Sequence, residues 1–154
     1  MLKETTISLL IVFLCGCSSV SYSSKHVINN SNEQQIGKTS VFHYYVNPVR
    51  PAQSAGMVQG TFKWQDGCIY LVDNKGVYST AMFPMYPEEA VIWNERNKTL
   101  NINGRIFKMG DYISTNGQYS EYVENTPLAL DYEKQGDKKC LTPILAKIGT
   151  MSIG

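Results

Sequence analysis

The chain has 154 residues, of which 43% are hydrophobic and 18% charged, and its formal net charge at pH 7 is +1. This length fits one domain of the commonest size, about 100–150 residues, with enough apolar residues for a buried core. Nucleic acid is excluded as an expected partner, because no cluster of lysine and arginine is present to bind phosphates.

The first 16 residues have the pattern of a secretory signal. Lys3 gives a positively charged start, residues 7–14 are apolar apart from Ser8, and small residues follow. The apolar stretch is too short to cross a bilayer core, which takes about 20 apolar residues. We therefore predict that residues 1–16 are removed on export.

Cys17 directly follows Gly16 at the end of this segment and is followed by Ser18. The segment resembles the lipobox of bacterial lipoproteins, although Cys15 stands where that family usually has alanine or serine. The resemblance implies cleavage before Cys17 and acylation of its sulfur, which anchors the chain in a membrane. It also implies the outer membrane of a two-membrane cell, because retention in the inner membrane goes with aspartate at the position of Ser18. The alternative is an ordinary secretory signal cut near Ser18 or Ser19, with no role for Cys17.

Residues 17–40 are predicted to form a flexible polar tether behind the anchor. Serine, asparagine and glutamine dominate this segment, and neither a helical nor a strand period persists in it. Residues 41–56 are predicted to form a short β-prone arm, interrupted by Pro48 and Pro51. This arm is either an added edge strand or a segment packed on the domain.

Residues 57–154 are predicted to form a small β domain. Asp66-Gly67 and Asn103-Gly104 are hairpin signals, because both turns favour residues that adopt positive φ. Strands are expected over residues 57–64, 68–72, 77–83, 90–93, 99–102, 105–108, 112–115 and 140–148. A turn is expected at Asn116-Gly117, and a long loop over residues 118–139 is expected to hold a short strand near 128–130. Turns recur near the spacing of about 8–12 residues that is typical of an all-β antiparallel barrel or sandwich.

Two cysteines remain in the predicted domain, Cys68 and Cys140. In an exported chain such a pair indicates a disulfide, the alternative being two buried free thiols. The bridge would close a loop of about 70 residues, worth about 4 kcal/mol in the chain-entropy account. It would also make the last strand a neighbour of the strand that contains Cys68. No metal site is expected, since His26 and His43 have no ligand spacing with the cysteines, and no cofactor is expected.

No catalytic residue is predicted, and the chain is not expected to be an enzyme. His26 lies in the predicted tether and His43 in the arm, where neither is placed to activate a nucleophile. Asp66, Asp73 and Asp111 occupy turn positions, where aspartate is favoured for its backbone hydrogen bonds. No glycine-rich loop between a strand and a helix is present to bind phosphate.

The aromatic residues of the strands are predicted to be mainly core residues or cross-strand pairs. Trp64, Tyr70 and Trp93 are the candidates for an alternative role, in which a row of aromatic side chains lines a groove for a peptide, a glycan or a partner protein.

A broader pattern links the strands and turns of the domain. It comprises Gly60, the run Asp66-Gly-Cys68, Phe83-Pro84, Val91-Ile-Trp93, Gly104, Met109-Gly-Asp111 and Cys140 before Pro143. This pattern resembles a β domain of uncharacterised exported bacterial proteins and lipoproteins. The resemblance implies a small OB-like barrel and no particular activity. The expected function is a binding or assembly module of the envelope, with an envelope protein or a glycan as partner. A purely structural anchoring component is the first alternative, and a hydrolase or hydrolase inhibitor is the second.

Overall fold

A computed structural model describes residues 38–151 and 153–154. The predicted signal peptide, Cys17, His26 and the tether as far as residue 37 lie outside these residues. The described part contains nine strands and one short helix, α1 (Pro127–Glu133). The strands are β1 Phe42–Tyr44, β2 Met57–Gln65, β3 Cys68–Val72, β4 Tyr78–Pro84, β5 Val91–Asn94, β6 Thr99–Ile102, β7 Arg105–Lys108, β8 Tyr112–Glu121 and β9 Ile144–Ile148. Within the same residues, no helix has the length and apolar character to span a membrane.

Five strands close a barrel in the order β2, β3, β4, β9, β8 and back to β2. Four of the five pairs are antiparallel, and β4 pairs with β9 in parallel. Strands β2, β3 and β4 are neighbours in sequence order and form a meander. The next strand around the ring is β9, and β8 follows it, so these two stand in the reverse of their sequence order. This is the Greek-key arrangement of a small OB-like barrel. The predicted all-β fold is therefore confirmed.

The barrel interior and a second, three-stranded sheet share one hydrophobic core. Alternation along β2 and β3 turns Val58, Phe62 and Leu71 inward, where each is at most 1% exposed. The sheet of β5, β6 and β7 lies between β4 and β8 in the chain and adds Leu100 and Phe107 to the same cluster. The rings of Phe62 and Phe107 meet edge to face, with centroids 5.7 Å apart. The small sheet is thus held by core packing on the barrel.

A second cluster covers the outer side of the barrel. Met82 of β4 and Leu145 of β9 point away from the interior and pack with Phe42 and Tyr132. Phe42 is brought there by β1, which pairs with β4 in parallel through the register Phe42↔Met82. The arm is therefore an added strand, one of the two forms that the sequence leaves open, and α1 contributes Tyr132.

Cys68 and Cys140 are joined by a disulfide in the outer cluster. Their sulfurs are 2.01 Å apart and their Cα atoms 5.3 Å apart, within the range of about 4.4–6.8 Å for bridged residues. The expectation that the last strand would neighbour the Cys68 strand is wrong, because β4 lies between β3 and β9. Cys140 belongs to a 3-10 turn (Lys138–Cys140) that precedes β9, so the bond reaches β3 across the outer face.

Two local predictions are also wrong. Asn116-Gly117 forms no turn, since β8 continues through it to Glu121. The short strand expected near residues 128–130 is part of helix α1 instead. The Thr126 hydroxyl accepts a hydrogen bond from the Ala129 N–H at 3.1 Å, and Pro127 occupies the first turn. A threonine cap followed by proline is a helix-start signal, and here it outweighs the short apolar run.

Candidate binding site

The structure places the three predicted binding residues in two groups. Trp64 and Trp93 both lie near Lys98, whose Nζ is 4.5 Å from the Trp64 ring centroid and 5.8 Å from that of Trp93. Tyr70 belongs to another group, in which its ring meets Tyr78 edge to face at 5.5 Å. Tyr70 is partly buried against the outer cluster, so its main role is to hold the ring of Tyr78 in place.

The polar atoms of both indoles are bound within the protein. Trp64 Nε1 donates to Thr39 Oγ1 at 3.0 Å, and Trp93 Nε1 donates to Glu95 Oε2 at 2.6 Å. The Thr39 hydroxyl in turn donates to Glu95 Oε1 at 2.9 Å, and Lys98 forms an ion pair with Glu95. These contacts fix Thr39, near the start of the described chain, against the barrel.

Glu95 is the acceptor at the centre of this network. Partial burial alone would raise its pKa, but hydrogen bonds from Lys98, Trp93 and Thr39 outweigh burial and lower the pKa to about 2. The carboxylate therefore stays ionised at neutral pH and is fully occupied in holding its neighbours. The Glu95 carboxylate therefore has a structural role, and because its oxygens are occupied within the protein it is not available as a general acid or base.

We predict that the hydrogen-bond network of Glu95 makes the stability of the protein depend on pH. Because the folded pKa of about 2 lies below the ordinary value of 4.5, the Glu95 contribution is complete above pH 4.5 and is lost as pH falls towards 2. Glu95→Gln should lack this part of the acid destabilisation. Melting temperatures of both proteins between neutral and acid pH check this, and identical slopes in that window would contradict it.

A groove of about 460 Å³ beside β2 and β3 joins the two groups. Trp64 and Tyr78 both line it, together with Phe62, Lys63, Val72 and Met109, and we call it the aromatic groove. Its volume is within the range of about 300–1,000 Å³ for small-molecule sites. The side chains of Trp64, Tyr78, Val72 and Met109 give it a mainly apolar surface, whereas Phe62 is 1% exposed and adds little.

Lys63 and Asp73 are the two charged groups of the aromatic groove. The Lys63 ammonium contacts the Tyr78 hydroxyl and lies 5.0 Å from its ring centroid. The Asp73 carboxylate is occupied by its own turn, accepting from the backbone N–H of Lys75 at 2.8 Å and of Val77 at 2.9 Å. The exposed ammonium of Lys63 is therefore the charge that remains free to meet a ligand.

Sequence reasoning missed Lys63, and it placed Tyr78 only among the strand aromatics expected to be core residues or cross-strand pairs. Lys63 lies between Phe62 and Trp64 on β2, so alternation turns it to the outer face, where it stands opposite Tyr70 of β3. An outward lysine is the commonest pattern on any sheet, and only the register across three strands shows that it stands beside Tyr78.

His43 lies on β1 and is partly buried. Burial lowers the pKa of His43, partly offset by a hydrogen bond to the Val41 backbone, so the imidazole is neutral at neutral pH. Within residues 38–151 and 153–154, no three His, Cys, Asp or Glu side chains form a group that could hold a metal ion. Comparison of the chain with models of protein families, with curated proteins and with solved structures gives no match.

Proposed function

We propose that the protein is a membrane-anchored binding or assembly module of the bacterial envelope, without catalytic activity, and that the aromatic groove is its binding surface. The groove itself carries this proposal. It presents Trp64 and Tyr78 beside an ammonium, Lys63, that has no ion pair with the described residues. Aromatic side chains with a polar tip are enriched at binding surfaces, and a peptide or glycan with an apolar face fits this lining.

The anchor part of the proposal depends on Cys17. One acyl chain gives only reversible membrane binding, whereas the two or more chains of the lipoprotein pathway give a stable anchor. The disulfide between Cys68 and Cys140 supports export, because such bonds persist in oxidising compartments. An acylated Cys17 in the outer membrane would hold the domain in the periplasm.

Cys17→Ser should abolish both lipid attachment and membrane retention. Labelling cells with a fatty-acid analogue, followed by membrane fractionation, checks this. Cys15→Ser is the matched control and should keep label and retention, since Cys15 lies in the segment that is removed. A wild-type protein that is soluble and begins at Ser18 or later would overturn the anchor.

Groove binding can be tested in intact cells with a photo-crosslinking residue at position 109, because Met109 lines the groove and its replacement leaves Lys63 in place. A discrete cross-linked product is expected there, and none from the same group at Lys134, which is exposed on the protein but lies outside the groove. Tyr78→Ala should remove the product, because truncation of an aromatic hot spot typically costs about 2 kcal/mol or more. Cross-linking that is the same at both positions, or insensitive to Tyr78→Ala in a folded protein, would favour the purely structural role.

A further inference from the structure

A second groove, of about 500 Å³, lies between the arm, helix α1 and the β8–β9 pair. Its walls include Tyr44, Tyr45, Gln118, Leu128, Tyr132 and Lys147, and we call it the tyrosine groove. None of its lining residues belongs to the aromatic groove. Whatever it binds is therefore independent of Lys63 and Tyr78.

The charge of this groove is set by Lys147. The register places Lys147 between Gln118 of β8 and Met82 of β4, and its side chain is partly buried. Its ammonium has no ion pair and no hydrogen bond with the described residues, and the groove is lined by no aspartate or glutamate. A lysine ammonium without a counter-charge favours an anion that can enter the groove and form a charge-assisted hydrogen bond.

The remaining walls favour an anion that carries a flat or apolar group. The Tyr44 hydroxyl donates to the Ile148 carbonyl at 3.1 Å, and Tyr132 is 4% exposed, so these two rings form fixed walls. Tyr45 and Leu128 are 71% and 54% exposed at the rim. A ligand that covers them would remove exposed apolar surface from water.

The donor set favours a carboxylate over a phosphate. Phosphate sites usually offer several converging donors, such as an arginine fork or a run of backbone N–H groups. Here Lys147 is the one cation in the lining, no arginine is present, and the donors beside it are neutral side chains such as Gln118 and Ser54, which matches a single negative charge.

We propose that the tyrosine groove is a second ligand site, for a carboxylate carried on an aromatic, aliphatic or sugar body. Lys147 binds the carboxylate, while Tyr45 and Leu128 cover the body. The site depends neither on the Cys17 anchor nor on the aromatic groove, so it can fail or succeed separately from the proposed function.

The test is an NMR titration of the isotope-labelled full chain with N-acetylphenylalanine and with its amide, which lacks the carboxylate. The acid should shift the signals of β8 and β9 around Gln118 and Lys147, and the amide should bind about tenfold more weakly, as expected for a lost charge-assisted hydrogen bond. N-acetylmuramic acid presents a carboxylate on a sugar, so the tighter of the two acids identifies the preferred body.

Lys147→Met keeps most of the side-chain stem and should abolish the difference between acid and amide, while Lys147→Arg, which keeps the charge, should retain it. Lys108→Met, at an exposed lysine of β7 that lines neither groove, is the matched control and should leave the difference unchanged. Equal binding of acid and amide, shifts confined to the aromatic groove, or no binding of either acid would each overturn the proposal.

Discussion

Replacing Gly117 by alanine should destabilise the barrel strongly. A Cβ at this position would lie 2.2 Å from the Lys147 carbonyl oxygen and 2.8 Å from a methyl group of Val58. The first neighbour is backbone of the paired strand β9, in the register Gly117↔Ile148, so relief requires β8 and β9 to separate. We expect a loss of about 3 kcal/mol or more, at the upper end of overpacking costs.

Gly104→Ala is the matched control. Gly104 has φ +85°, but a Cβ there meets nothing within 4 Å. Gly104→Ala should therefore lower the free energy of unfolding only by the cost of placing alanine in a left-handed conformation, about 1–2 kcal/mol. Urea unfolding of both variants and of the wild type measures the two losses in free energy of unfolding. A Gly117→Ala protein as stable as Gly104→Ala would show that the two strands are not packed as closely as the structure has them.

Loss of the disulfide is the second large effect. The bond spans a sequence separation of 72 residues, and a loop of that length corresponds to about 4 kcal/mol in the chain-entropy account. Both cysteines are 1% exposed, so a Cys68→Ala/Cys140→Ala variant avoids burying a hydroxyl or a lone thiol. Its melting temperature should fall by roughly 10–20 °C, given the size of the domain.

Reductant provides the control for the disulfide variant. The wild type should melt at a lower temperature once reduced, whereas the double variant should melt at the same temperature with and without reductant. A wild type that is indifferent to reductant, with its thiols shown to be free, would contradict a stabilising bond.

The parts of the fold that the sequence predicts well are those decided by neighbouring residues. The β6–β7 hairpin has the predicted bounds, because Asn103 and Gly104 both adopt the positive φ that its turn requires. The turn predicted at Gly117 is absent because a glycine that makes room for a neighbouring strand looks the same in sequence as one that bends the chain. Barrel closure by β4 and β9 was not predictable, since it joins segments that lie more than 60 residues apart, such as Ala81 and Ala146.

The candidate site was predicted only in part, for a related reason. The sequence identifies Trp64, Tyr70 and Trp93 as aromatic residues on strands, and the structure places Trp64 at the aromatic groove. The hydrogen bond from Trp93 to Glu95 depends on the conformation of the β5–β6 turn, which composition does not encode. Lys147 gave no signal, because its lack of a counter-charge is a property of the surfaces that surround it.

The position of β9 in the barrel has a consequence for how the chain folds during synthesis. β9 supplies both the parallel pair with β4 and the antiparallel pair with β8, yet it is the last strand in the sequence. Until residues 144–148 have emerged, the chain carries two unpaired strand edges, which can pair with other chains. Closure also waits for contacts between distant segments, which form slowly. The barrel therefore stays open until its last strand is available, and this delay exposes the chain to aggregation or chaperone capture.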